Sequence, residues 1–331
     1  MNITVLYNKP SDRFATDATH KAAEEDTEHS AKEVAAALTS KGAHVTLVSV
    51  TEHAIDIAVN GITADLVFNL IEWTGVDTQL ALKVFDAMSA RGLHYTGATK
   101  ENYHDTCDKI ITKRLCQRYG LPTAKWQEFK TRKETPEIDT YPVIVKVSNE
   151  HSSVGITKDA IAHNAQELAD IVKRRIDEYH QPVFAETFLT GREFQVTLLE
   201  QEGLVVLPPA EIVYGKNTDV PLLTYESRWN ERHSDYKNSD VELAKLTPFL
   251  LEKLTRMSQT AFTAFGFRNY ARFDIRCDEH EIPYFLELNS NPGLGDDPDY
   301  GMTVSYKAAG MTFSDFVWKI VQSARRRVNK R

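Results

Sequence analysis

The stretch RFDIRCDEHEIPYFLELNSNPG, residues 272–293, decides how this chain is interpreted. Alternate residues of a β-strand share one face, so Arg272 and Asp274 lie together on the polar face of a first strand. Glu287 and Asn289 lie in the same way on the polar face of a second strand. Apolar residues fill the alternate positions of both strands, a pattern typical of a hairpin with one face in the core.

The two polar faces meet if residues 279–282 form the hairpin loop. Asp274 then lies opposite Glu287, and Arg272 lies opposite Asn289. Two carboxylates that face each other across a ladder repel, and a divalent cation removes this repulsion. Carboxylate and amide oxygens are the ligands that Mg²⁺ takes, usually together with nucleotide phosphates. The hairpin therefore predicts a metal site; the alternative is a solvated polar face on an amphipathic hairpin.

A lysine inside an apolar strand marks a second candidate site. Residues 142–147 read PVIVKV, so Lys146 is the charged residue of an otherwise apolar run. The loop that follows, SNEHSSVG at 148–155, is rich in small hydroxyl side chains, which together with backbone N–H groups can hold an anion. Strand and loop predict a phosphate cradle; the alternative is an amine that reaches water at a strand end.

Two glutamates border the next turn of the predicted sheet. Glu186 ends one strand and Glu193 begins the adjacent strand. Their carboxylates could bind an adenine amine or ribose hydroxyls. The alternative is that both are exposed turn charges.

The composition excludes several classes of protein. The chain has 331 residues, 42% hydrophobic and 26% charged, which predicts a folded protein of two or three domains at about 100–200 residues each. Its net charge of −8 argues against nucleic acid as a partner. It has three cysteines without a CxxC motif, no signal-like N-terminus and no apolar run of about 18–20 residues. These features predict a cytoplasmic protein without a membrane partner. The basic residues 325–331 indicate a solvated helix end, with a partner contact as the alternative.

The order of predicted elements indicates an α/β chain. Over residues 1–100 we predict strands at 3–7, 45–50 and 66–71 and helices at 28–41 and 78–90, with 66–71 typical of a central parallel strand. An α+β stretch follows. Its predicted strands are 126–130, 142–147, 183–188, 193–200, 270–277 and 283–288, its helices are 107–119, 164–179, 240–265 and 312–328, and a long loop covers 213–240.

Taken in their order and spacing, these segments resemble the ATP-grasp superfamily and, within it, the D-alanine–D-alanine ligase branch. The resemblance extends from Tyr95 to the C-terminus. The motifs that carry it are YTG (95–97), DK (108–109), TKR (112–114), GLP (120–122), PVIVK (142–146), SSVGI (152–156), GREF (191–194), LP (207–208), RFD (272–274), ELNSNPG (287–293) and AGMTF (309–313).

The resemblance implies an ATP-grasp fold of the α/β class with an α+β lid. Its three implied domains are an N-terminal substrate-binding domain (1–105), a central lid domain (106–190) and a C-terminal catalytic domain (191–331), with ATP between the last two. The implied reaction forms an amide: ATP phosphorylates a carboxylate, and an amine attacks the acyl phosphate. The implied cofactors are ATP and two Mg²⁺ ions, with Mn²⁺ as a substitute. The implied partners are a small-molecule carboxylate, an amine and a second copy of the chain in a homodimer.

Matching positions carry the family's site residues onto this chain. For ATP and metal they are Lys109 and Lys146 (phosphates), Ser153 (the loop over the γ-phosphate), Glu186, Phe188 and Leu189 (adenine), Glu193 (ribose), and Asp274, Glu287 and Asn289 (metal). For catalysis they are Arg272, which would stabilise the developing oxyanion, Ser152 in the loop over the γ-phosphate, and Arg228 in the long loop that closes over the site. For the substrates they are Glu28, Trp229, Asn291, Gly293 and Tyr300.

The substrate half departs from the family pattern. Residues 22–30 lack a clean match to the glutamate and serine that hold the first D-alanine; Glu28 is nearest, although acids at a helix start also suit the helix dipole. His151 stands where the family has glycine, Trp229 where it has tyrosine, and Tyr300 where it has serine.

We therefore predict a ligase whose substrates are not D-alanine plus D-alanine. The alternatives are an authentic D-alanine–D-alanine ligase of peptidoglycan synthesis with a divergent pocket, and a non-catalytic nucleotide-binding regulator. Two further questions stay open. His151 is either a general base or a loop residue, and the acidic residues 296–299 either bind a cationic nucleophile or form a solvated turn.

Overall fold

The computed structural model describes residues 1–12, 18–73, 75–151, 153–215, 220–229, 232–233, 236 and 238–329, without the side chains of 18–26, 228, 229 and 329. Its strands are β1 (Asn2–Asn8), β2 (His44–Val50), β3 (Leu66–Leu70), β4 (Trp126–Phe129), β5 (Val143–Val147), β6 (Ile161–Ala162), β7 (Val183–Thr187), β8 (Glu193–Glu200), β9 (Leu204–Val206), β10 (Ala210–Tyr214), β11 (Ser239–Leu243), β12 (Tyr270–Cys277) and β13 (Pro283–Asn289). Its α-helices are α1 (Ala18–Ser40), α2 (Ile55–Asn60), α3 (Thr78–Ala90), α4 (Lys100–Cys107), α5 (Lys109–Arg118), α6 (Ala165–Tyr179), α7 (Tyr225–Trp229), α8 (Pro248–Ala264), α9 (Gly301–Ala308) and α10 (Phe313–Asn329). None of these helices is long and apolar enough to cross a bilayer.

A parallel three-stranded sheet in the order β2-β1-β3 forms the N-terminal part of the fold. Parallel strands are normally covered on both faces. Here α1 and α10 cover one face and α2 and α3 cover the other. The central strand is β1, so the prediction that residues 66–71 form it is wrong. β3 is nevertheless buried throughout, because a parallel bridge between Val67 and Tyr95 flanks its outer side.

An antiparallel four-stranded sheet in the order β4-β7-β5-β6 follows. Val143 and Val145 of β5 pack under α6, for example against Leu168. Because side chains alternate along a strand, Ile144 and Lys146 face away from α6, toward a cavity. This alternation puts a lysine at the cavity wall without burying its ammonium in the apolar core.

The third sheet is antiparallel, in the order β11-β10-β8-β12-β13, with β9 paired to β8. Apolar residues of β8 and β12, such as Val196 and Phe273, pack with helix α8 in one core. On the other face of β12, Arg272 and Asp274 line the cavity.

The predicted pairing of the β12–β13 hairpin is confirmed. Asp274 lies opposite Glu287, and Arg272 lies opposite Asn289. The sequence pattern therefore placed the two carboxylates against each other correctly.

The loop that joins the two strands differs from the prediction. It spans residues 278–282 rather than 279–282, and this alone would shift every pair by one residue. A bulge at Leu286 restores the register, because Ile275 pairs with Phe285 while the next pair skips Leu286. The bulge lets Phe285 enter the core and leaves Leu286 at the cavity.

Most other predicted elements are confirmed within a few residues. The helix predicted from residue 28 begins at Ala18, and the helix predicted at 240–265 begins only at Pro248, because 239–243 pairs with β10 as a strand. The described part of the predicted 213–240 loop contains the short helix α7. Helices α2, α4 and α9 and strands β6, β9 and β10 were not predicted.

Each sheet lies within one of the three predicted domain ranges. The strands span residues 2–70, 126–187 and 193–289. The C-terminal helix α10 packs on the N-terminal sheet with α1, and Lys41 Nζ lies 2.6 Å from Asp315 Oδ1 at this contact. The boundaries 1–105, 106–190 and 191–331 stay a prediction.

Candidate functional site

A cavity of about 590 Å³ lies where the central and C-terminal sheets meet the carboxyl edge of the N-terminal sheet. Strands β5 and β7 form one wall, β8, β12 and β13 form another, and Glu72, just after β3, closes one end. The cavity brings together most of the predicted site residues: Lys109, Lys146, Ser153, Glu186, Phe188, Leu189, Glu193, Arg272, Asp274, Glu287, Asn289, Gly293 and Tyr300.

A bidentate pair on β12 forms the floor of the cavity. Arg272 Nε lies 2.9 Å from Asp274 Oδ1, and Arg272 Nη2 lies 3.0 Å from Asp274 Oδ2. Asn289 Nδ2 approaches the same carboxylate, 3.3 Å from Oδ2. Burial, together with Glu287, raises the pKa of Asp274 even though Arg272 lowers it. The floor therefore holds a carboxylate that is costly to ionise and would gain from a further cation.

Two cationic side chains converge on the other carboxylate of the hairpin. His151 Nδ1 lies 2.8 Å and Lys109 Nζ 3.3 Å from Glu287 Oε1. His151 Nε2 also lies 3.0 Å from the carbonyl oxygen of Cys107, so both ring nitrogens face acceptors. Burial would raise the pKa of Glu287, but Lys109 and His151 hold it well below its usual range. Burial and Lys109 lower the pKa of His151, whereas Glu287 and the Cys107 carbonyl raise it, to about 10 overall.

The donor set of the hairpin fits a divalent cation. Asp274, Glu287 and Asn289 line the cavity from facing positions of two paired strands. Their carboxylate and amide oxygens are the hard donors that Mg²⁺ prefers. A cation bound between them would offset the repulsion of the two carboxylates.

A buried carboxylate links two lysines on the opposite wall. Glu186 Oε2 lies 2.5 Å from Lys113 Nζ, and Glu186 Oε1 lies 2.7 Å from Lys146 Nζ. Lys113 also donates to Thr123 Oγ1 at 2.7 Å. Burial raises the pKa of Glu186, but the two ammonium groups lower it more, to about 2. Glu186 therefore stays ionised and fixes the position of Lys146 at the cavity.

Glu193 is held at the far end of the C-terminal wall. Arg276 Nη1 lies 3.1 Å from Glu193 Oε2, and the hydroxyl of Tyr214 donates to the same oxygen at 2.7 Å. Arg276 also donates to the carbonyl oxygen of Pro221 at 2.6 Å and lies over the ring of Phe188. These contacts orient a carboxylate beside an aromatic ring at the cavity wall.

The space between the lysines and Glu193 has apolar walls. Ile144 and Phe188 face it from the central sheet, and Leu222 and the bulged Leu286 face it from the C-terminal part. Phe188 and Leu222 also pack against the apolar cluster that contains Ile144. These side chains give this part of the cavity an apolar lining.

The predicted substrate residues divide into two groups. Gly293 and Tyr300 line the cavity, as does Thr27. Asn291 and Glu28 are not among the lining residues. The amide of Asn291 is engaged beneath the cavity, where its Nδ2 donates to Ile71 O at 3.1 Å. Glu28 Oε1 instead pairs with Lys32 Nζ at 2.8 Å along the surface of α1.

Three of the predicted residues lie outside the described part of the structure. Ser152 is not described, and of Arg228 and Trp229 only the backbone, at the end of α7, is described. Their predicted roles stay predictions.

Sequence reasoning gave no role to three residues that hold the cavity's glutamates in place: Lys113, Tyr214 and Arg276. Two of them could have been found from their spacing in the sequence. Lys113 follows Lys109 by one helical turn in DKIITK, and Arg276 follows Arg272 and Asp274 on the same face of β12. Tyr214 could not, because it reaches Glu193 only through the pairing of β10 with β8.

Comparison with known sequences finds relatives in the family that the sequence motifs resemble. The family described as D-ala D-ala ligase C-terminus matches residues 115–322. An uncharacterized protein, y4sG, of Sinorhizobium fredii is 32% identical over 80% of this chain and 76% of its own length. The D-alanine–D-alanine ligase of a Marinomonas strain is 30% identical over 70% of each chain.

Solved structures match over the whole chain. The D-alanine–D-alanine ligase of Bacillus anthracis in complex with ATP has a TM-score of 0.76 at 18% identity, over 100% of this chain and 99% of its own. The VanG D-Ala:D-Ser ligase of Enterococcus faecalis has the same TM-score and identity over 98% and 99% of the two chains. This chain therefore belongs to the D-alanine–D-alanine ligase family and is an ADP-forming ATP-grasp ligase that joins a carboxylate to an amine.

Proposed function

We propose that this ligase acts on a small carboxylate and an amine other than the pair D-alanine and D-alanine. ATP and divalent metal ions are the cofactors of its family. We further propose a cytoplasmic location and a homodimer.

The roles proposed for the nucleotide half follow from the contacts around the cavity. Lys109 and Lys146 bind the phosphates, the apolar slot beside Phe188 and Leu189 holds adenine, and Glu193 accepts from the ribose hydroxyls. Both oxygens of Glu186 already face lysines, so we assign it the positioning of Lys146 in place of the adenine contact predicted from the sequence.

Asp274, Glu287 and Asn289 would hold the divalent ion, which neutralises phosphate charge when bound. Arg272 faces the same space and stabilises the negative charge that develops during transfer. A carboxylate oxygen attacks the γ-phosphorus and ADP leaves. The amine nitrogen then attacks the acyl carbon, and phosphate leaves as the nitrogen loses its proton.

Tyr300 is the observation that supports a different acceptor. It lines the cavity beside Gly301, at a position where the family has serine. A phenol ring is far larger than a serine side chain and places its hydroxyl several ångströms farther from the backbone. The solved relatives also differ in acceptor, because one is a D-alanine–D-alanine ligase and another a D-Ala:D-Ser ligase.

A second candidate, an authentic D-alanine–D-alanine ligase, is favoured by the curated relatives of that name, at 27–30% identity. The two candidates differ in their products. We would measure phosphate release from Mg-ATP with pooled D- and L-amino acids, each supplied as donor and acceptor, and identify the products by mass.

We expect release with a pair other than D-alanine and D-alanine, and none with Arg272→Ala. Release with D-alanine alone would support the second candidate. Absence of release with every pool would contradict amino acids as substrates and direct the search to other small carboxylates.

A further inference from the structure

His151 connects three parts of the chain that meet at the cavity. It lies in the loop after β5, and its side chain is only 13% exposed. Its Nδ1 lies 2.8 Å from Glu287 Oε1 on β13, and its Nε2 lies 3.0 Å from the carbonyl oxygen of Cys107 at the end of α4. A carbonyl oxygen can only accept, so Nε2 is a donor here. The ring therefore spans two acceptors, one in the backbone and one in the proposed metal site.

A second cationic group meets the same carboxylate. Lys109 Nζ also approaches Oε1 of Glu287, at 3.3 Å, and the same ammonium donates to the carbonyl oxygen of Glu150. Both cationic groups thus meet Oε1 of Glu287. Asn289, two residues on, shares the face of β13 with Glu287 and approaches Asp274.

A side chain at position 151 is required for this arrangement. Glycine, the residue at this position in the family, has no donor to offer to Glu287 or to Cys107. The imidazole is a rigid ring whose two nitrogens lie 2.8 Å and 3.0 Å from oxygens of Glu287 and Cys107, so anchoring it at the Cys107 carbonyl restricts where it meets Glu287. Groups that bind the outer side of a metal ligand orient that ligand and tune its affinity for the ion.

We propose that His151 is a positioning residue that holds the carboxylate of Glu287 in place for the divalent ion of the nucleotide site. The inference rests on the proposed function, because it uses Glu287 as a metal ligand. It assigns His151 neither general-base chemistry nor contact with the substrates. It follows that the affinity of the site for a divalent ion depends on Nδ1 of His151.

Two amide substitutions separate the two nitrogens of the ring. In His151→Asn the amide nitrogen lies near the position of Nδ1 and keeps a nitrogen beside Glu287. In His151→Gln the amide nitrogen lies near the position of Nε2 and keeps the donor to Cys107. His151→Gly removes both donors, and all three variants would first be checked for unchanged unfolding transitions.

The measurement is Mn²⁺ binding by calorimetry in the presence of ADP, where no turnover occurs. We expect His151→Gly and His151→Gln to weaken Mn²⁺ binding by about tenfold or more, and His151→Asn to stay within about threefold of wild type. In turnover, the first two variants should raise the Mg²⁺ concentration that gives half-maximal rate more than they lower kcat.

Equal Mn²⁺ affinity in all variants, tighter binding in His151→Gly, or equal losses in the Asn and Gln variants would each overturn the proposal. If the wild type forms a product and the variants bind Mn²⁺ normally, only the role of His151 fails. If the wild type binds no Mn²⁺ with ADP, the proposed metal site fails and the role of His151 fails with it.

Discussion

The ammonium of Lys113 lies 2.5 Å from one oxygen of Glu186, while that of Lys146 lies 2.7 Å from the other. The side chains of Lys113 and Glu186 are 4% and 1% exposed. Helix α5 and strands β5 and β7 thus meet at one ionised carboxylate at the wall of the cavity. This cluster connects the stability of the central sheet to the placement of Lys146, which we propose binds phosphate.

Removing the charge of Glu186 should destabilise the protein. In Glu186→Gln two ammonium groups lose their counter-charge in a buried position, and breaking such a pair costs about 3–5 kcal/mol. Urea unfolding would measure the change. Asp86→Asn is the matched control, because Asp86 pairs with Lys100 on the surface and such pairs contribute about 0–1 kcal/mol. Equal losses in both variants would contradict this prediction.

The same carboxylate should make stability depend on pH. Its pKa is about 2 in the folded chain and about 4.3 in an unfolded chain. Between these values the unfolded chain binds the proton more readily, so this contribution is present above about pH 4.3 and is lost as the pH falls toward 2. The stability advantage of wild type over Glu186→Gln should therefore shrink between about pH 5 and pH 3. Parallel unfolding free energies across that range would disprove the assignment.

Arg272→Ala should separate binding from chemistry. Arg272 is proposed to act where charge develops, so we expect kcat to fall by about 100-fold or more while ATP binds with nearly unchanged affinity. Steady-state kinetics and nucleotide calorimetry would show this. Arg256→Ala, on the exposed side of α8, should change neither quantity. Unchanged turnover in Arg272→Ala would refute its role.

Glu287→Gln should raise the metal requirement. The substitution keeps the size of the side chain but replaces a negative oxygen donor with an amide, which hard cations bind less tightly. We expect a higher Mg²⁺ concentration for half-maximal rate, or loss of activity. Glu252→Gln on the surface of α8 is the control. A metal dependence like that of wild type would show that Glu287 is not a ligand.

Tyr300→Ser should change the acceptor. Restoring the family's residue removes the ring from the cavity, so we expect the preference for D-alanine over the native acceptor to rise about tenfold, within what a single pocket contact can provide. Competition between the two acceptors, read by product mass, would measure it. An unchanged ratio would mean that Tyr300 does not set specificity.

Alternation along strands explains which site residues could be predicted. Arg272, Asp274, Glu287 and Asn289 were found because their faces follow from a period of two, and Lys146 because a charge stands out in an apolar run. Periodicity did not predict the bulge at Leu286. The bulge compensates for a hairpin loop of five residues and puts Phe285 into the core, so it depends on how the two strands pack.

By itself the sequence determined the α/β class, the positions of most strands, the facing carboxylates of the hairpin and the family, because all of these follow from local periodicity and motif order. Only the tertiary structure decided that Glu186 holds Lys113 and Lys146, that Arg276 and Tyr214 hold Glu193, and that His151 reaches Glu287. Each of these contacts joins segments that are distant along the chain. Burial then decides their partners, since a buried charge is stable only where an opposite charge meets it.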